Sequence, residues 1–125
     1  MTKKTIINLI IVIAIIGAFI SLLVYVSNKP GKLDGFATCL KDSGTKFYGA
    51  FWCPHCQNQK QLFGSSQKLL PYVECSTPDG KGQTDICIEK KIEGYPTWIF
   101  ANGIIKTGEL PLKDLAAQTS CALPN

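Results

Sequence analysis

The chain has 125 residues, a net charge of +4 and six cysteines, and every basic residue is lysine. Arginine, the usual base-reading side chain, is absent and no lysine cluster is interleaved with aromatic residues, so nucleic-acid binding is not expected. All six cysteines follow residue 26, and an even, dense count within about ninety residues fits an oxidising compartment.

Residues 6–26 carry no charge, and Asn8 and Ser21 are their only strongly polar side chains. Such a run has about the 20 residues needed to cross a bilayer core as a helix. A secretory signal peptide is the competing reading, since Lys3 and Lys4 suit its basic start. Its apolar core, however, usually spans only about 7–15 residues, and Val24-Tyr25-Val26 offers bulky side chains where a cleavage site needs small ones. An uncleaved transmembrane anchor over 6–26 is therefore expected, behind a short cytoplasmic segment, 1–5. The lysines on either side orient it only weakly. The cysteines orient it better: they put the remainder in the periplasm or at the cell exterior, as a single-pass protein of the inner (cytoplasmic) membrane.

Residues 27–32 contain Pro30 and Gly31 and read as a linker, whose extended reach of roughly 25 Å keeps the following domain, 33–125, close to the bilayer. Leu33, Phe36, Ala37 and Leu40 recur at helical spacing, predicting a helix over 33–42 that Ser43-Gly44 ends. The aromatic-rich stretch 46–52 reads as a buried strand. Pro54 suits the first turn of a helix, which Gly64-Ser65-Ser66 interrupts and Pro71 stops. A second strand follows at 72–75, then a loop over 76–83 on turn chemistry. Thr84 is placed to cap a helix reaching Lys91. Residues 97–100 and 104–107 form a hairpin around Asn102-Gly103, and Pro111 opens the last helix. A helix between the first two strands makes them a parallel pair, and the hairpin adds antiparallel strands. The expected fold is α/β, a mixed sheet of about four strands flanked by helices.

Trp52-Cys53-Pro54-His55-Cys56 carries the chemistry. Cys53 stands at a helix amino terminus, where unpaired N–H groups and the helix dipole favour negative charge. A thiolate there is both a nucleophile and a good leaving group, so a Cys53–Cys56 disulfide passes readily to another protein. Cys56, one turn on, is expected to be the more buried, and His55 as a cation would help stabilise the thiolate. A zinc half-site competes for the same residues. Zinc takes four ligands, commonly from two such pairs or one pair with two histidines. Here there is one pair, and the single histidine lies inside it, so no metal ligand set is expected.

The strand, the CPHC motif, its helix and the later Gly94-Tyr95-Pro96-Thr97 resemble the thioredoxin fold, and Pro54-His55 is similar to thiol oxidases of the DsbA type. The stretches 47–56, 59–64, 72–75 and 94–98 resemble more closely the thioredoxin-like domain fused to, or encoded beside, bacterial vitamin K epoxide reductase homologues. The resemblance covers residues 33–121 and not the anchor. It implies catalysis by Cys53 and Cys56, modulated by Trp52, Pro54 and His55. It also implies a cis Tyr95–Pro96 bond beside the pair, with Tyr95 offering its backbone to an extended substrate. An ordinary trans proline opening a strand is the alternative. A Cys75–Cys87 disulfide is implied as well. Thioredoxins often hold a buried carboxylate six residues before the first active cysteine. Phe47 stands there instead, which counts against a thioredoxin-like reductase.

Cys39 and Cys121 are expected to pair too, with free thiols or an intermolecular link as alternatives. The two closures would be worth about 3 and about 4 kcal/mol in the chain-entropy model. The implied function is a membrane-anchored, monomeric thiol-disulfide oxidoreductase with no cofactor beyond its redox-active disulfide. Its partners would be reduced exported proteins and a quinone-linked membrane oxidoreductase resembling vitamin K epoxide reductase. A reductase or isomerase of the same fold is the second reading. A non-enzymatic metal-handling or scaffold domain is the third.

Overall fold

The computed structural model describes residues 2–124. The chain forms two compact units, Met1–Pro30 and Gly31–Asn125. The first is one helix, α1 (Lys3–Ser27), long and apolar enough to cross a membrane. None of its side chains is buried by protein. At 1.5 Å per residue it is about 37 Å long, so Lys3 and Lys4 join its first turn ahead of the apolar run.

The second unit is a four-stranded mixed sheet with flanking helices, consistent with a thioredoxin-like fold. Its helices are α2 (Asp34–Asp42), α3 (Pro54–Gln61), α4 (Asp85–Glu89) and α5 (Leu112–Thr119). Its strands are β1 (Lys46–Gly49), β2 (Tyr72–Glu74), β3 (Thr97–Ile99) and β4 (Ile105–Thr107), in the spatial order β2-β1-β3-β4. Strand β1 is central, parallel to β2 and antiparallel to β3, with Phe47 opposite both Tyr72 and Trp98. A parallel neighbour needs a crossover. Helix α3 and a 3₁₀ helix, Gly64–Leu69, supply it.

The period of two along β1 divides the core. Phe47 joins Phe36 and Leu40 of α2, Trp98 and Leu115 of α5 in the larger cluster, whereas Tyr48 joins Cys75, Cys87 and Ile92 in a second. Phe47 and Trp98 stack with centroids 4.6 Å apart. The position that holds a carboxylate in many thioredoxins is here part of an aromatic core.

Three local expectations need correction. The first strand ends at Gly49 and not at Trp52. The Cys53 amide turns back to the Ala50 carbonyl at 3.0 Å, which lifts Phe51 and Trp52 out of the sheet to 47% and 53% exposure. Thr84 makes no capping bond: its hydroxyl donates to the Glu74 carbonyl at 3.1 Å and ties α4 to the end of β2. Helix α4 stops at Glu89, short of Lys91, whose φ of +54° ends the turn.

Candidate active site

Cys53 is the N-cap of α3, in extended backbone geometry, and Pro54 takes the first helical turn, where a missing N–H leaves nothing unpaired. Cys53 is 5% exposed and Cys56 0%. Cys56 is the more deeply buried of the two, as expected, and only a small part of Cys53 meets solvent. Both are free thiols. The Cys53 Sγ lies 3.8 Å from the Tyr95 carbonyl oxygen, to which its S–H donates a long hydrogen bond. The Tyr95–Pro96 peptide is cis. It is held from several sides. Gln83 Nε2 donates to the Tyr95 hydroxyl at 2.7 Å, Gly108 N–H donates to the Pro96 carbonyl at 2.8 Å, and Thr97 Oγ1 donates to the Gly94 carbonyl at 2.7 Å.

Burial pushes the Cys56 thiol up to about 12, and the neighbouring Cys53 adds to this; a backbone hydrogen bond from Ala50 and the Lys60 charge pull the other way. The two sulfurs therefore differ in setting, one at a helix N-terminus facing a backbone carbonyl and one sealed beneath it.

Trp52 packs edge-on against Tyr95, with centroids 6.0 Å apart, and its indole N–H donates to Ser76 Oγ at 2.9 Å. An exposed aromatic fixed at both ends beside Cys53 can meet another protein without first being ordered. His55 is exposed and tied to Glu109. Its Nδ1 stands 2.6 Å from Glu109 Oε1, which also accepts from Asn58 Nδ2 at 3.2 Å. Those two bonds, His55 first, hold the Glu109 carboxyl below the ordinary carboxylate range.

Two positions with no motif signal also shape the site. Gln59 is fully buried, and its amide bonds both the N–H and the carbonyl of Leu110 at 2.7 and 3.0 Å, which clamps α3 to the segment before α5. Glu74, at the end of β2, accepts from Phe51 N–H at 3.2 Å, Ser76 N–H at 2.8 Å and the Tyr72 hydroxyl at 2.8 Å, and so braces the turn that carries Trp52. A glutamine inside the motif helix and a glutamate beside a cysteine are the only sequence traces of these roles.

Away from the motif, Cys39 of α2 is bonded to Cys121, with Cα atoms 5.8 Å apart, and Cys75 to Cys87, at 5.5 Å. Both spacings are ordinary for disulfides. The Cys75–Cys87 bridge closes the loop that carries Ser76, the partner of Trp52. A cleft of about 520 Å³ between Leu33, Leu62, Phe63 and Pro124 lies at the far end of α3 and includes neither motif cysteine. Among the described residues, no group of three or more His, Cys, Asp or Glu side chains is placed to share a metal ion.

No family model matches the chain. It is 48% identical over 89 residues to a protein of Arabidopsis thaliana named thiol-disulfide oxidoreductase LTO1. The match covers 67% of this chain and 23% of that protein, so the chain spans less than a quarter of its relative's length. The likeness and the cysteine pairs together support a redox function.

Proposed function

We propose that the chain is a membrane-anchored thiol-disulfide oxidoreductase whose Cys53–Cys56 disulfide is transferred to reduced exported proteins. The observation that carries this reading is the juxtaposition of Cys53, at the N-terminus of α3, with the cis Tyr95–Pro96 backbone and the sealed Cys56. The likeness to a thiol-disulfide oxidoreductase supports the same class of reaction. Trp52, Pro54 and His55 modulate the pair, and the Tyr95–Pro96 backbone receives the substrate strand.

In the oxidising direction a substrate thiolate attacks Cys53 Sγ. The Cys53–Cys56 bond breaks, and its electron pair leaves on Cys56, which then takes up a proton. A second substrate thiolate attacks the substrate sulfur of the mixed disulfide and releases Cys53. Two electrons have passed from substrate to domain, and the substrate holds the new disulfide. A quinone-linked membrane partner resembling vitamin K epoxide reductase takes those electrons. With α1 spanning the inner membrane and the domain outside it, anchoring raises the effective concentration of such a partner. No further cofactor is needed, since the disulfide is itself the redox group.

The test is the Cys56→Ala variant in cells. It is expected to accumulate Cys53-linked mixed disulfides with exported proteins and with a membrane protein. If Cys56→Ala accumulates none while the wild-type protein is present at the same level, the reading is overturned. The equilibrium potential sets the direction: a value nearer about −120 mV is that of an oxidase, and one nearer about −270 mV that of a reductase.

A further inference from the structure

The thiol exchange proposed above leaves one demand unmet. Cys56 must become a thiolate when it leaves Cys53 or attacks it, yet it is fully buried in apolar surroundings. Burial of an unpaired charge is costly. The carboxylate that many thioredoxins keep nearby is replaced by Phe47, which stacks on Trp98. Some other group must meet the charge.

Helix α3 supplies a cation at the right offset. Lys60 follows Cys56 by four residues, and side chains so spaced share a helix face. Its Nζ stands 3.5 Å from the centroid of the Tyr72 ring, in cation–π contact. That ring is fixed by its hydroxyl, which donates to Glu74 Oε2 at 2.8 Å, and Glu74 is in turn held by the amides of Phe51 and Ser76. The ring also borders the sulfur. A Cβ built on Gly49 would stand 2.8 Å from Cys56 Sγ and 2.9 Å from Tyr72 Cε2, so sulfur and ring edge face each other across the bare glycine.

We propose that Lys60, steadied on the Tyr72 ring, is the positive charge that carries Cys56 through its thiolate state, with Tyr72 and Glu74 as positioning residues. Tyr72 is not the acid. Burial first, then the Glu74 carboxylate, push its phenol well up, so it remains a neutral donor to Glu74. Among the groups acting on Cys56, Lys60 is the cation, and it opposes the effect of burial. When Cys56 departs, the electron pair of the broken S–S bond stays on its sulfur, Lys60 stabilises the anion, and water then protonates it. In the reverse direction Cys56 loses its proton to water under the same charge and attacks Cys53.

The proposal rests on the thiol-disulfide reading, and a two-step assay separates the two. The full chain, in detergent, is reduced at Cys53 and Cys56 only and mixed with an aromatic disulfide, 5,5′-dithiobis(2-nitrobenzoate). Cys53 releases one thionitrobenzoate as it forms a mixed disulfide. Cys56 releases the second as it closes the ring. Removing an opposite charge near a titrating thiol shifts it by one unit or more, so Lys60→Gln is expected to slow the second release about tenfold or more. The slowing falls on the second step and not on the first, and Lys60→Arg, which keeps the charge, restores most of the rate. A second release in Lys60→Gln within about twofold of wild type, or a Lys60→Arg as slow as Lys60→Gln, overturns the role of Lys60 alone. A first release that persists undiminished in Cys53→Ala overturns the underlying reading, and this proposal with it.

Discussion

Replacing Gln59 with leucine probes what holds the motif helix in place. The Gln59 amide makes both backbone bonds of Leu110, at 2.7 and 3.0 Å, and accepts a longer one, at 3.4 Å, from the buried Trp98 indole. Leucine fills a similar volume without a polar atom. Two good hydrogen bonds are then lost, and the indole N–H is left without its partner in the core. At about 1 kcal/mol for each bond and a similar amount for the orphaned donor, the cost is about 3 kcal/mol. In a domain of this size each kcal/mol moves Tm by about 4–8 °C, so Gln59→Leu should melt roughly 12–24 °C below wild type. Thermal unfolding followed by circular dichroism, with both structural disulfides intact, measures it. The second release of thionitrobenzoate should slow as well, because α3 is no longer tied to the segment before α5. A drop of less than about 4 °C would mean that Leu110 finds water at no cost, and the clamp argument would fail.

Removing the Cys39–Cys121 bridge by paired Ser substitutions opens a closure of 82 residues, and removing Cys75–Cys87 opens one of 12. Costs of about 4 and about 3 kcal/mol follow from the chain-entropy model, and denaturant midpoints showing the opposite order would contradict it. The Glu109 carboxyl is held lower in the folded chain than in the unfolded one, first by His55. Its contribution to stability is therefore present above the ordinary carboxylate range and is lost as pH falls through the folded value. Glu109→Gln should flatten that part of the acid limb in denaturant titrations from about pH 7 to about pH 2, and an identical limb in both proteins would refute the pairing. Gly49→Ala drives a Cβ to within 2.8 Å of Cys56 Sγ and 2.9 Å of Tyr72, and overpacking of this kind costs about 1–3 kcal/mol. An unchanged melting temperature would mean that the strand end yields freely.

Much of this was legible in the residues because it is local. The CPHC motif with Pro54 at a helix start, the Asn102-Gly103 turn and the apolar run of α1 each depend on neighbours in the chain. The sheet order follows from them, since one crossover and one hairpin leave few arrangements. The errors lie where distant residues intervene. Thr84 has a capping sequence, but the Glu74 carbonyl, ten residues away, claims its hydroxyl. Phe51 and Trp52 have strand propensity, yet Glu74 and Ser76 hold them in a turn. Gln59 reads as a plain helix former until Leu110, 51 residues on, comes to face it. The same holds for the surroundings of Cys56: Lys60 shares its helix face, but Gly49 and Tyr72 carry no pattern individually, and only the parallel pairing of β1 with β2 brings them to the sulfur.

The Cys39–Cys121 bond has a mechanical consequence. It ties α2, near where the second unit begins, to the residues just past α5. Tension applied between the two ends of this unit is carried by that covalent bond, and the hydrogen-bonded strands between residues 46 and 107 bear none of it. A pull on the end of the chain would stretch the few residues outside the bridge and leave the sheet, Cys53 and the Tyr95–Pro96 backbone at rest. With the bridge reduced, the same pull would reach α5 and then the strands. In a single-molecule stretching measurement, the oxidised domain should lengthen by only the short tails, whereas the domain with this bridge reduced should release its contour length except for the loop that Cys75–Cys87 still closes.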